Sequence, residues 1–213
     1  FVKKNAFKQY IIGVGVGFSI FSIAVLICVV TGTLKYEGFV LKGNIGWLIL
    51  FLIGFLLQGM EEEVLLRGYF MTSLSTRVPI IAAIWINAIF FACMHLLNPG
   101  ISVLALINLV LFGLFASVYA VKTNNIWGVC AIHSIWNFVQ GNFYGILVSG
   151  MDTGISVFKF SSTESGKLIN GGSFGLEGGL SVTIVLIIGI VITLVAKNKE
   201  LDALETTGSE VTE

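Results

Sequence analysis

Six stretches of this chain are almost wholly apolar, and short polar runs separate them. The first, from about Tyr10 to Val30, ends without an Ala-x-Ala cleavage pattern and reads as a spanning helix, not a signal peptide. A polar loop with Lys35, Glu37, Lys42 and Asn44 follows. The apolar part of the second stretch, Gly46 to Met60, is about fifteen residues long, short of the roughly 20 that a span requires. Continued through Glu61, Glu62, Glu63 and Arg67 to about Leu74, it is long enough, and its charges then lie within the helix. Arg77 and Pro79 mark the next turn. A third helix is expected from about Ile80 to Leu97, stopped by Asn98-Pro99-Gly100. A fourth runs from about Ile101 to Val121, a fifth from about Ile126 to Val148 and a sixth from about Leu180 to Ala196. Between the last two lies a long loop rich in Gly, Ser and Thr, whose Asp152, Glu164 and Glu177 read as solvated. The expected fold class is all-α, a multi-pass transmembrane bundle of about six helices. Residues 1–197 form one domain and residues 198–213 a polar, disordered tail.

Composition agrees. The chain has 213 residues, 56% hydrophobic and 11% charged, against about 25% charged in a soluble domain. Mean hydropathy is +0.95. Net charge is zero, so no electrostatic footprint for nucleic acid is present and the bilayer is the expected surroundings. Cys28, Cys93 and Cys130 show no metal or redox spacing. Gly13, Gly15 and Gly17 read as two apart and not as a Gly-x-x-x-Gly face. Basic residues favour both termini in the cytoplasm: Lys3, Lys4, Lys8, Arg67, Arg77, Lys122, Lys197 and Lys199 against Lys35, Lys42, Lys159 and Lys167.

Ionisable side chains at membrane depth are costly and mark function. Glu62, Glu63 and both histidines of the chain, His95 and His133, fall in apolar segments. Three pairs have the four-residue spacing that puts side chains on one helix face: Glu63 with Arg67, Phe91 with His95, and His133 with Asn137. At 1.5 Å per residue, Glu62 lies roughly 18 Å from the helix end near Leu74, His95 roughly 22 Å from Ile80, and His133 and Asn137 roughly 10 to 17 Å from Ile126. These depths place them in one layer, around a cavity expected to open to the cytoplasmic side. Glu63, one turn from Arg67, reads as an ionised structural partner. That leaves Glu62 for the histidines and for general-base work.

Glu62-Glu63-x-x-x-Arg67, Phe91-x-x-x-His95 and His133-x-x-x-Asn137 resemble, in order and spacing, the three signature motifs of the CPBP family. That family comprises the type II CAAX prenyl proteases and the bacteriocin-processing and self-immunity (Abi) proteins. The resemblance covers about Gly46 to Val148. It implies an intramembrane endopeptidase acting on membrane-associated peptides or proteins, with bacteriocin or pheromone processing, or self-immunity, favoured over prenylated substrates. Glu62 and His95 would activate a water, His133 and Asn137 would stabilise the oxyanion, and Glu63, Arg67 and Phe91 would support them. Glu62, His95 and His133 are also residue types that bind zinc, which makes them metal-ligand candidates, although no His-Glu-x-x-His is present. Family members commonly have about eight helices with the glutamate pair on the fourth; here it is on the second, which leaves two N-terminal helices unaccounted for. The alternatives are a non-catalytic membrane scaffold, in which Glu62 would be tied up with no cavity beside it, and a proton-coupled transporter, which the absence of an inverted repeat opposes.

Overall fold

The computed structural model of the chain describes residues 5–41 and 43–196. The expected tail at 198–213, and Lys3, Lys4, Lys42, Lys197 and Lys199 of the charge count, lie outside the described residues. The chain is mostly helical, about 72%. Six longer helices carry it: α1 (Ala6–Val30), α2 (Ile45–Glu63), α3 (Ile80–Cys93), α4 (Val103–Thr123), α5 (Trp127–Phe138) and α6 (Leu180–Val195). α1 and α4 are long and apolar enough to cross a membrane.

The helices run alternately up and down, so the molecule has two ends. The terminal face carries the start of α1, the α2–α3 and α4–α5 turns and the end of α6. The loop face carries residues 31–41, 43–44, 94–102 and 144–179. α2 does not stop at its charges. It continues as a π-helical stretch, Val64–Met71, and one further α-turn, Thr72–Ser75, which gives the length expected from the sequence. A π-helical stretch shifts carbonyls out of the regular ladder, and Asn87 Nδ2 of α3 donates to Leu66 O at 2.7 Å across the gap.

Glycines set the closest helix approaches. A Cβ on Gly13 would sit 2.2 Å from Gly128 O, and one on Gly17 2.6 Å from Ile132 O. A Cβ on Gly59 would meet Ser134 Oγ at 2.5 Å. Gly13 and Gly17 are four apart after all, and this small-residue seam docks α1 on α5 within the chain. The Gly-x-x-x-Gly face that the two-residue spacing of Gly13, Gly15 and Gly17 argued against is therefore present, formed by the first and third of them.

Three further expectations differ from the structure. The third helix stops at Cys93, not Leu97: approaching Pro99 the chain tightens to three-residue turns, His95 N to Ala92 O at 3.1 Å and Leu96 N to Cys93 O at 3.3 Å. The fifth ends as a π-helical turn, Val139–Phe143, and then leaves helical geometry, with Gly145, Ser149 and Gly150 all at positive φ, so residues 144–148 are loop. The all-α expectation also missed a two-stranded antiparallel sheet, β1 (Leu34–Phe39) with β2 (Phe158–Ser162), in register Leu34 opposite Ser162 and with a bulge at Tyr36–Gly38. Its pairing is aromatic: Tyr36 lies 5.3 Å from Phe160 and 6.1 Å from Phe158, ring centre to ring centre.

Candidate active site

Glu62 and Glu63 leave α2 in different directions, as neighbours on a helix must. Glu63 points into the bundle and is fully buried. Its Oε1 accepts from Arg67 Nη1 at 2.8 Å and from His133 Nδ1 at 2.8 Å. Arg67, also fully buried, donates through Nη2 to Gly113 O at 3.1 Å and lies 5.0 Å over the Phe91 ring. A buried charge needs a partner of this quality to be tolerated. The sequence paired Glu63 with Arg67 but not with His133; the His133 ring, expected to face Glu62, is hydrogen-bonded to Glu63, and its Nε2 lies 3.9 Å from Glu62 Oε2.

Glu62 is only partly buried. Its Oε1 accepts from Gln58 Nε2, one turn earlier on α2, while its Oε2 is buried and accepts no hydrogen bond among the described residues. Gln58 in turn accepts from Asn137 Nδ2 at 2.9 Å, so Glu62, Gln58 and Asn137 form one chain of side chains from α2 to α5. His95 reaches the same space from the turn after α3. Its Nδ1 lies 2.9 Å from Phe91 O. A carbonyl only accepts, so Nδ1 carries the proton and the lone pair of the neutral ring is at Nε2.

Glu62, His95, His133 and Asn137 line one cavity of about 350 Å3. Phe91 and Phe112 form its wall: Phe91 sits 4.7 Å from the His95 ring, Phe112 5.0 Å from the His133 ring. The cavity continues past Met94 and Asn98 to Ser149 and Met151, all on the loop face. That corrects the expectation that the polar layer opens toward the terminal face. The depth count assumed that His95 belonged to a regular helix, and it does not.

Two lining residues were missed. Gln58 is an uncharged residue outside the motif, and only the fold brings it against Glu62. Glu177 read as a solvated loop acid; instead its Oε2 accepts from Ser149 N and Oγ, each at 2.8 Å, and its Oε1 from Trp136 Nε1 at 3.1 Å. It ties the loop that roofs the cavity to α5. Its flanking glycines gave a weak hint, since a loop that turns back sharply is often packed.

The zinc candidates do not form a metal set. Among the described residues no group of three or more His, Cys, Asp or Glu is gathered to hold a metal ion. His133 Nδ1 is committed to Glu63 and His95 Nδ1 to Phe91 O, which leaves Nε2 of each ring as its remaining donor atom. With Glu62 these would make the three protein ligands of a catalytic zinc, but they are not gathered around one point in this structure.

Residues 44–139 match the Type II CAAX prenyl endopeptidase Rce1-like family. The segment that carries this site, a little under half of the chain, is therefore similar to that family. Among curated proteins and among solved structures, nothing matches the chain significantly. The family is one of membrane-embedded proteases, so a peptidase acting on a peptide or protein substrate is the coarse functional assignment.

Proposed function

We propose that the chain is a multi-pass intramembrane endopeptidase whose water is activated by Glu62 and His95. One observation carries the proposal: Glu62, His95, His133 and Asn137, drawn from three separate helical segments, border a single cavity with room for a peptide bond and a water. A scaffold that used these groups only for packing would have no reason to keep Glu62 Oε2 unsatisfied beside a cavity. Glu62 Oε2 and His95 Nε2 are the two acceptors available to take a proton from attacking water. His133 Nδ1–H is held by Glu63, so its Nε2 donates to an oxyanion only in the doubly protonated ring. The Asn137 amide has a second N–H beyond the one given to Gln58 and can serve the same oxyanion. Glu63, Arg67 and Phe91 hold His133 and the cavity wall. No step requires a metal.

Membrane spanning is supported by the apolar outer surface. Ile81, Trp85, Ile89 and Phe90 of α3 are exposed, as are Ile184, Ile187, Ile188 and Val191 of α6. Such a belt is out of place in water. With the terminal face in the cytoplasm, as its basic residues favour, the cavity opens to the extracytoplasmic side. Exported peptides, such as bacteriocin or pheromone precursors, then fit better than cytoplasmic prenylated proteins.

The test is cleavage of synthetic lipidated and exported-type peptides by purified protein in detergent. Glu62→Gln and His95→Ala should each lower the rate by at least a hundredfold while melting within a few degrees of wild type. Unchanged cleavage by both variants would overturn the assignment.

A further inference from the structure

Gln58 precedes Glu62 by one turn of α2 and so shares its face. It borders the candidate active-site cavity on one side. On the other, with Phe55, it borders a groove of about 380 Å3 formed along α2 by Trp47, Leu50, Phe51 and Gly54. An amide between a cavity and an apolar groove costs free energy unless it is hydrogen-bonded. Both of its ends are: Nε2 donates to Glu62 Oε1, and Oε1 accepts from Asn137 Nδ2 at 2.9 Å. The α2–α5 contact does not need this amide. One residue on, a Cβ at Gly59 would sit 2.7 Å from Ser134 N, so the two backbones already touch. Glu63 then bonds His133 at 2.8 Å across the same interface. Met or Leu would fill the position for packing alone without burying an amide.

We propose that Gln58 is a positioning residue for peptide hydrolysis: it holds the Glu62 carboxylate and the Asn137 amide in the orientations that the reaction uses. The inference rests on the reading of Glu62 as general base and Asn137 as oxyanion donor. The direction of the chain follows from its charged end. An ionised carboxylate only accepts, so Gln58 must turn its N–H groups toward Glu62, and its carbonyl is left for Asn137. That carbonyl also only accepts, so Asn137 must present Nδ2 and not Oδ1. Two consequences bear on the reaction. Oε1 of Glu62 is occupied, and Oε2, which accepts no hydrogen bond among the described residues, is the oxygen left for water. Asn137 is held by its NH2 group, whose second N–H is the one that can serve the oxyanion. Without Gln58 the carboxylate turns about its last torsion, a soft one. The Asn137 amide is then free to turn Oδ1 toward the developing negative charge. Gln58 touches neither the water nor the oxyanion in this scheme, so its whole effect runs through Glu62 and Asn137.

The experiment measures kcat and KM of the purified full chain in detergent, on the synthetic lipidated or exported-type peptide that wild type cleaves fastest. All variants are compared well below the lowest of their melting temperatures, so that each is folded. Gln58→Met keeps the length of the side chain and removes both hydrogen bonds. It should lower kcat about ten- to a hundredfold, the worth of one hydrogen bond to a charged group. KM should stay within about twofold, the mark of an interaction used in the transition state. Gln58→Glu has the same shape and can accept from Asn137, but when ionised it has no N–H for Glu62, and it should be as slow as Gln58→Met. Asn137→Ala supplies the coupling. Combined with Gln58→Met, its loss in kcat should fall short of the product of the two single losses by about fivefold or more, because the groups act as one chain. A residue that only packs would give the full product. With Glu62→Gln slow, any of three results would overturn the positioning role and leave the peptidase reading standing: a Gln58→Met or Gln58→Glu kcat within about twofold of wild type, a rise in KM that accounts for the loss, or a fully multiplicative double variant. Unchanged cleavage by Glu62→Gln would take both readings away.

Discussion

Arg67→Met is the most direct probe of the buried ion network. The substitution keeps length and apolar contact with Phe91 but removes the guanidinium, its 2.8 Å bond to Glu63 and its 3.1 Å bond to Gly113 O. Glu63 is then a fully buried carboxylate with His133 as its one remaining hydrogen-bond partner among the described residues. Breaking a buried pair by removing one side costs about 3–5 kcal/mol, because the other charge is left stranded. At roughly 2–4 °C per kcal/mol for a chain of this size, the melting temperature should fall by about 6–20 °C. Removing both charges is the informative comparison. Glu63→Leu/Arg67→Met strands no carboxylate, and apolar replacement of a buried pair is often close to neutral. Against that, His133 loses its acceptor, at a cost of about 1–3 kcal/mol. The double variant should therefore melt above Arg67→Met, although it lacks one more native interaction. Thermal unfolding in detergent, followed by tryptophan fluorescence, measures both. A single variant within about 2 °C of wild type, or a double variant that melts below the single, would refute the claim that Arg67 is there to neutralise Glu63.

In a Cys93→Ser background, Glu164→Cys on the loop face should react in intact cells with a membrane-impermeant maleimide and Thr76→Cys on the terminal face only after lysis; the reverse pattern would invert the proposed orientation. Glu177→Ala removes an acceptor that holds Ser149 N, Ser149 Oγ and Trp136 Nε1, and should cost about 2–4 kcal/mol and raise KM more than it lowers kcat; an unchanged KM would count against a roofing role. Gly59→Ala forces a Cβ to within 2.5 Å of Ser134 Oγ, and the α2–α5 contact should loosen by about 1–3 kcal/mol in denaturant titration; a neutral effect would mean that the helices separate freely there. A chelator should leave peptidase activity intact, and its loss, restored by zinc, would show that His95 swings in as a third ligand.

Much of this site could be read from spacing because its key pairs are local. Glu63 with Arg67, Phe91 with His95 and His133 with Asn137 each sit one helical turn apart, and helical geometry alone sets their common face. Three such pairs on three apolar segments carried the family resemblance, and helix number and order followed from hydrophobic blocks. What escaped depends on contacts distant in sequence. The β1–β2 sheet joins segments more than a hundred residues apart, and its strands are too short and too mixed in polarity to stand out in a loop of Gly, Ser and Thr. Gln58 and Glu177 meet the site through partners 79 and 41 residues away. Helix ends were misplaced where the chain exchanges regular hydrogen bonding for function: His95 lies just past the end of α3, and that displacement lets its ring turn toward the cavity.

Glu63 explains how so polar a centre is held inside an apolar bundle. One oxygen takes two hydrogen bonds, from Arg67 on its own helix and from His133 on α5, and so joins the charge it must neutralise to the ring it must orient. A neutral residue in its place could fix the ring by a hydrogen bond, but it would leave Arg67 as a buried cation without a counter-ion. An isolated glutamate could orient His133 but would itself be an uncompensated anion. Only the adjacent pair separates the two demands. Glu63 is consumed by structure, and Glu62, a 100° turn away, remains partly exposed at the cavity, with Oε1 hydrogen-bonded to the Gln58 amide and Oε2 3.9 Å from His133 Nε2.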